Sequence, residues 1–216
     1  VTGDLDAVTS SGSSIEFSPS TSSTSGTIVV SSPGVTSDTT GTITVDTGVL
    51  DHILIRNESG GSGSVLNTLS LAAGETQTMY TAGYDQDDNY IRDIETQWTV
   101  QGDIGTVSTS DSYESSTIFT ATTIGTGTVQ ADTSIFADQT GIITVTGGAL
   151  DYLLIRDEAN GGGSEVGDVT MTTDESLSLY AAGYDELNNY LLDVDVTWSV
   201  TGDLDAVTSS GSSIEF

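Results

Sequence analysis

The sequence predicts an all-β chain, with antiparallel β-sandwiches of about 100 residues and seven strands each joined in tandem. Three observations carry that prediction. Thr, Ser, Val, Ile and Gly dominate while proline occurs only twice, a mixture suited to strands and turns. Short apolar or alternating runs are punctuated by turn signals every ten residues or so, and no helix-period stretch exceeds two turns. The chain also repeats itself at two scales. Val1 to Phe17 returns letter for letter as Val200 to Phe216, an offset of 199. A looser repeat has an offset of 100: Leu50-Asp51-His52-Ile53-Leu54-Ile55-Arg56 against Leu150-Asp151-Tyr152-Leu153-Leu154-Ile155-Arg156, and Ala82-Gly83-Tyr84-Asp85 against Ala182-Gly183-Tyr184-Asp185. Such repeats build length or surface more often than a single active site.

The repeat divides the chain. Residues 1–48 read as the back half of a unit, 49–148 as a complete unit, and 149–216 as the front part of the next, with 200–216 repeating 1–17. Within the complete unit, Leu50 to Arg56 is apolar at nearly every position, the mark of a strand covered on both faces. Thr68 to Leu71 is a short piece. Thr76 to Tyr84 alternates and leads into a turn at Asp85 to Asn89. Tyr90 to Val100 reads as one strand, but the spacing of Ile91, Ile94 and Trp98 demands a bulge or register change. Thr106 to Thr109, Ser116 to Ala121, Thr126 to Asp132 and Gly141 to Thr146 complete the set.

Charge narrows the partners. The chain carries 32 acidic residues, three arginines and no lysine, for a net charge of −29. This surface repels nucleic acid and anionic lipid, and favours solubility, basic partners or divalent cations. No cysteine is present, so disulfides and thiolate metal sites are excluded, and the missing lysine excludes Lys–Asn isopeptide cross-links. No apolar run approaches the roughly 20 residues that span a bilayer, so no membrane insertion is expected of this segment.

The stretch Ala82-Gly83-Tyr84-Asp85, Asn89-Tyr90, Asp93 and Trp98-Thr99-Val100 with Gly102-Asp103, echoed one unit later, resembles the bacterial immunoglobulin-like domains found in tandem in invasin- and intimin-type adhesins and giant surface proteins. The family's turn glycine is replaced by Asp88 and Asn188, which tolerate the left-handed conformation. The resemblance implies an extracellular, cell-surface spacer, stalk or adhesive array.

Several groups are candidates for binding. Asp85, Asp87 and Asn89 have the alternate spacing of a calcium loop, with Asp93 close behind; Asp185, Asn189 and Asp193 are their counterparts, with Leu187 at the middle position. Asp51 and Asp151 lie at the unit junctions, where acidic residues of two units can share Ca²⁺. The competing reading of the turn is an Asx-type connection between strands. Arg56 and Arg156, each near Glu58 or Glu158, suggest an ion pair inside each unit. Trp98 and Trp198 are expected in the core. Asn57-Glu58-Ser59 is a glycosylation sequon. The Gly-rich stretches Glu58 to Ser64 and Glu158 to Ser164 read as mobile loops.

No catalytic constellation stands out. The single histidine, His52, is matched by Tyr152, so it belongs to no repeated site. The expectation is therefore not an enzyme but a structural segment of an extracellular fibre, its partners being copies of itself end to end, in a continuous chain or a strand-exchanged filament. The alternative is an adhesin module that binds carbohydrate or a partner-cell protein.

Overall fold

A computed structural model describes residues 2–8, 12–202, 204 and 208–215. Val1 and Phe216, the outer ends of the duplicated segment, lie outside the described residues. The described chain is all strand, turn and irregular structure, without a helix, and no helix is long and apolar enough to cross a membrane among those residues.

The middle stretch holds strands β6 (His52–Arg56), β7 (Leu69–Ala72), β8 (Thr76–Tyr84), β9 (Tyr90–Asp93), β10 (Thr96–Gln101), β11 (Gly105–Val107), β12 (Tyr113–Glu114), β13 (Ser116–Ala121), β14 (Gly125–Asp132), β15 (Ala137–Gln139) and β16 (Ile143–Thr146). They form two sheets. One runs β11-β13-β8-β6 with β9 added on β8; the other runs β12-β10-β14-β16-β7 with β15 added on β14. Ile55, Met79 and Phe119 from the first sheet meet Trp98, Val129 and Ile143 from the second in one fully buried core. Neighbouring strands are antiparallel except β16 and β7, which pair in parallel from Ile143↔Leu69 to Thr146↔Ala72.

Two strand expectations change. Tyr90 to Val100 is not one bulged strand: β9 pairs with β8 in one sheet, and β10 pairs with β14 in the other. The chain crosses between sheets near Ile94, which is why its apolar spacing fits no single face. The irregularity sits instead in the neighbouring hairpin, between Gly83 and Tyr84. The short β12 and β15 add edge pairings that their few residues gave no pattern to reveal.

The flanking stretches repeat halves of this arrangement. The first holds β1 (Thr2–Gly3), β2 (Thr24–Thr27), β3 (Val29–Val30), β4 (Asp38–Thr39) and β5 (Ile43–Val45). Its pairs Thr2↔Thr27 and Gly26↔Ile43 reproduce the middle pairs Gln101↔Thr128 and Gly127↔Ile143. The last holds β17 (Tyr152–Arg156), β18 (Ser178–Tyr184), β19 (Tyr190–Asp193), β20 (Val196–Ser199), β21 (Thr208–Gly211) and β22 (Ser213–Glu215). There β17 and β18 pair from Tyr152↔Tyr184 to Arg156↔Tyr180, the register of β6 and β8 one hundred residues on, with the same irregularity after Gly183.

The duplicated segment is an internal control on what each half lacks. Leu5 and Leu204 share one sequence context, yet Leu5 is 7% exposed and Leu204 is 64% exposed. Leu5 lies under β2, with its Cγ beside Gly26, and Leu204 has no such strand over it among the described residues. The other end is reversed: Ile15 is exposed, whereas Ile214 is half-buried where β22 pairs with β18.

Candidate functional site

The Asp85 to Asn89 turn is closed by backbone bonds from Asp85 N–H to Asn89 O at 3.1 Å and from Asp88 N–H to Asp85 O at 3.1 Å. Asp88 takes a left-handed φ of 63°, and Asn188 one of 65° in the next copy. Inside the turn, Asp85 Oδ1 accepts from the N–H groups of Asp87 at 3.1 Å and Asn89 at 2.9 Å, and from Asn89 Nδ2 at 3.1 Å. The carboxylate therefore organises the whole loop. A carboxylate suits this because it is acceptor-only and takes several donors at once.

The same two side chains reach out of their own unit. Asp85 Oδ2 accepts from Gly48 N–H at 2.7 Å. Asn89 Oδ1 accepts from Ser22 N–H at 3.0 Å while its Nδ2 donates to Ser20 O at 2.9 Å. A carbonyl on one side and an N–H on the other fix the orientation of the amide. Ser20 and Thr21 are in turn held by the carboxylate of Asp6, which accepts from both of their N–H groups.

At the next junction the arrangement recurs. Asp185 Oδ2 accepts from Gly148 N–H at 2.9 Å, Asn189 Oδ1 from Ile124 N–H at 3.3 Å, and Asn189 Nδ2 donates to Thr122 O at 2.8 Å. The turn-internal bonds to Leu187 N–H at 3.0 Å and Asn189 N–H at 2.8 Å are also kept. Gly48 and Gly148 suit the closeness of this contact. A Cβ on Gly48 would lie 3.1 Å from Asp85 Cβ, and one on Gly148 would lie 3.3 Å from Asp185 Oδ2. At the second junction Gly147 also packs on Leu191.

Electrostatics follow from these bonds. The Gly48 N–H bond, with burial opposing and the Asn89 and Asp87 donors adding, holds the Asp85 carboxyl below the usual 3.8. Burial pushes Asp185 up, but the donors from Gly148, Asn189 and Leu187 outweigh it, so that carboxyl is also lowered.

The remaining predicted residues are placed as follows. Asp46, Asp51, Asp85 and Asp87 line a junction cleft of about 290 Å³. Among the described residues no three His, Asp or Glu side chains converge to hold a metal, and the oxygens of Asp85 and Asp185 are already filled by N–H donors. Calcium ligation by Asp85 or Asp185 would compete with the junction bonds. Asp51 and its counterpart Asp151 are exposed and close their strands through backbone N–H bonds to Tyr84 O and Tyr184 O.

Asp93 accepts from Gly60 N–H at 3.1 Å and from Tyr90 O–H at 3.0 Å; Asp193 accepts likewise from Asn160 N–H and Tyr190 O–H. Asn57 is exposed, and its Oδ1 accepts from Ser64 N–H within its own loop. Trp98 is fully buried and donates to Glu114 O at 2.9 Å; Trp198 is buried and donates to Gly211 O at 3.0 Å. His52 lies between the carboxylates of Asp51 and Asp88 at 3.3 Å each, and Tyr152 spans the same turn by donating to Asn188 Oδ1 at 2.6 Å.

One expectation is corrected. Arg56 makes no ion pair among the described residues. It donates to Ser62 O at 2.8 Å and Gly63 O at 2.6 Å, and Arg156 likewise binds the carbonyls of Gly161, Gly162 and Gly163. The Gly-rich loops are therefore tied through their backbone carbonyls to the arginine of their own unit. Backbone carbonyls are the nearer partners because the loop curls over the guanidinium. The arginine also lies 5.9 Å over the Tyr84 ring, which stacks on His52 at 5.5 Å.

No protein family matches the chain, and no curated protein does. Among solved structures the chain is similar to domains 4–9 of the surface layer protein SbsC, at 18% identity and a TM-score of 0.33 over 79% of this chain. Domains 5–6 of the same S-layer protein align at 15% identity and a TM-score of 0.33, covering 76% of this chain and 85% of that one. Domains A168–A170 of titin align at 11% identity and a TM-score of 0.26. The chain spans 26% of the first of these structures.

Proposed function

We propose that this chain is a rod segment of an extracellular structural array, in which successive β-sandwich units are held at a set angle by an Asp–Asn clamp. The observation that carries this reading is the recurrence of the clamp. Asp85 and Asn89 grip Ser20, Ser22 and Gly48, and Asp185 and Asn189 grip Thr122, Ile124 and Gly148 in the same way. A flexible linker has no need of side chains that reach back to the preceding unit's backbone. The tandem resemblance and the strongly acidic, cysteine-free composition suit an array outside the cell.

The stiffness needs no calcium in this reading, because N–H donors already occupy the clamp carboxylates. Small-angle X-ray scattering tests it. The wild-type chain should give the profile of a single extended body, unchanged by EDTA. The double variant Asn89→Asp, Asn189→Asp should give a broadened, flexible profile while far-UV circular dichroism stays the same. A wild-type chain already flexible, or one stiffened by added calcium, would overturn the reading.

A further inference from the structure

Between β6 and β7 the chain of the middle unit makes a detour that belongs to neither sheet. The two ends of the detour pair with each other. Asn57 N–H donates to Ser64 O at 3.1 Å, Leu66 N–H donates to Ile55 O at 2.9 Å, and Arg56 forms a bridge with Val65. Side chains stitch the same closure. Asn57 Oδ1 accepts from Ser64 N–H at 2.7 Å, and the Arg56 fork donates to Ser62 O and Gly63 O. The next unit keeps the closure on a different loop sequence. Asp157 stands in for Asn57 and accepts from Ser164 N–H at 2.6 Å, while Arg156 donates to Gly162 O and Gly163 O.

The strand registers fix how a pull along the rod loads this unit. β6 begins beside Tyr84, at one end of β8. Thr146, at the end of β16, accepts from Ala73 N–H at 2.8 Å, just ahead of Thr76 at the other end of β8. Force that enters before β6 and leaves after β16 therefore runs along β8. Within its sheet β6 is held on one side only, by the pairs from His52↔Tyr84 to Arg56↔Tyr80, with one added bond from Ile55 N–H to Asp138 Oδ2 at 2.7 Å. β16 is held on both sides, by β14 and, in parallel, by β7. The β7 ladder reaches further still, through Gly141 N–H to Leu66 O at 3.1 Å. Of the two strands that take the load, β6 is the one that yields first. Tension then pulls Ile55 and Leu66 apart at the open end of the hairpin. Its bonds fail one after another, and a single hydrogen bond exchanged for one to water is worth little. The β7–β16 bonds are loaded lengthwise and must fail together.

We propose that this stitched hairpin is stored length. Under tension β6 leaves β8 and residues 49–65 straighten, while the β7–β16 ladder keeps the rest of the sandwich folded. The rod lengthens without losing the unit, and the hairpin closes again when tension falls. Because the hairpin recurs at Arg156, every unit that carries it contributes the same reserve.

This inference rests on the rod reading above, but the two fail separately, because handles placed inside the unit take both junctions out of the load path. The chain has no cysteine, so Val49→Cys and Ala149→Cys, at two exposed positions, attach handles across the middle unit of the full chain for optical tweezers. With the natural loop the trace should show two steps. The first should release residues 49–65, about 60 Å at full extension, and should reverse on relaxation before the second occurs. The second should release the remainder of the unit at higher force. Six Gly and Ser residues inserted between Ser59 and Gly60 should lengthen the first step by about 20 Å and leave the second unchanged. Near-ultraviolet circular dichroism checks that the insertion variant is folded, and the natural loop is decisive without it through the length of its first step. A single rupture that frees the whole unit, a first step of another length, or a folded insertion variant with an unchanged first step would each overturn the proposal.

Discussion

At the scale of single residues, the proposed clamp uses one aspartate and one asparagine per unit, and the protonation of the aspartate can be read in solution. Asp85 and Asp185 titrate below the ordinary 3.8 because N–H donors stabilise the charged form. A depressed folded value means the contribution is fully present above 3.8 and is lost as pH falls through the lowered value. The scattering profile should therefore hold from about pH 8 to about pH 5 and loosen only in strong acid, below 3.8. A junction that loosens near pH 6 would mean other groups control it. Gly48→Val tests the same contact sterically. Its Cβ would crowd Asp85 at 3.1 Å, so the Gly48 bond should break and the first junction alone should become flexible, as interdomain residual dipolar couplings would show. The sequence held a signal for this site. The acid and the amide recur at Asp85/Asn89 and Asp185/Asn189, while the middle position changes from Asp87 to Leu187. The hydrogen bonds of the clamp use only the backbone N–H at that middle position. The groups the clamp grips could not be read, because Ser20 lies 69 residues from Asn89 and offers only backbone.

At the scale of elements, the strands of the middle unit were legible wherever their pattern was local. His52–Arg56 and Thr76–Tyr84 follow from apolar and alternating runs. The division of Tyr90 to Val100 into β9 and β10 was not legible, since which sheet each joins depends on β8 and β14, neither of them marked by the turn between. Trp98 explains why β10 belongs where it does: it fills the space between the sheets and donates to Glu114 O on β12. Trp98→Ala should destabilise the middle unit by about 3–5 kcal/mol, the usual loss for removing a fully buried aromatic side chain. Chemical denaturation followed by circular dichroism measures it. Trp198→Ala should lose less in the isolated chain, because its surroundings are open on one side. The loop tied by Arg56 gives a second test at this scale. Arg56→Lys cannot bind Ser62 O and Gly63 O together through one planar fork. Amides 58–63 should then exchange faster with solvent, with little change in global stability.

At the scale of the whole molecule, stability should be uneven, because the core is complete only in the middle. Twelve buried residues close that core, whereas the outer stretches expose the surfaces that would complete them, at Val30 and at Ile155. Strands β6 and β17 share one sequence pattern and one register against their neighbours, so they make a matched pair for hydrogen exchange. The Ile55 amide, bonded to Asp138 and buried, should open only with global unfolding of its unit. The Ile155 amide, which has no such acceptor among the described residues, should exchange orders of magnitude faster in the 216-residue chain. Sequence cannot account for such a difference between two strands so nearly alike. It depends on whether a segment equivalent to β14, β15 and β16 lies over the apolar groove of Ile155 and Trp198. Equal protection of the two amides in the 216-residue chain would show instead that the last stretch closes its own groove.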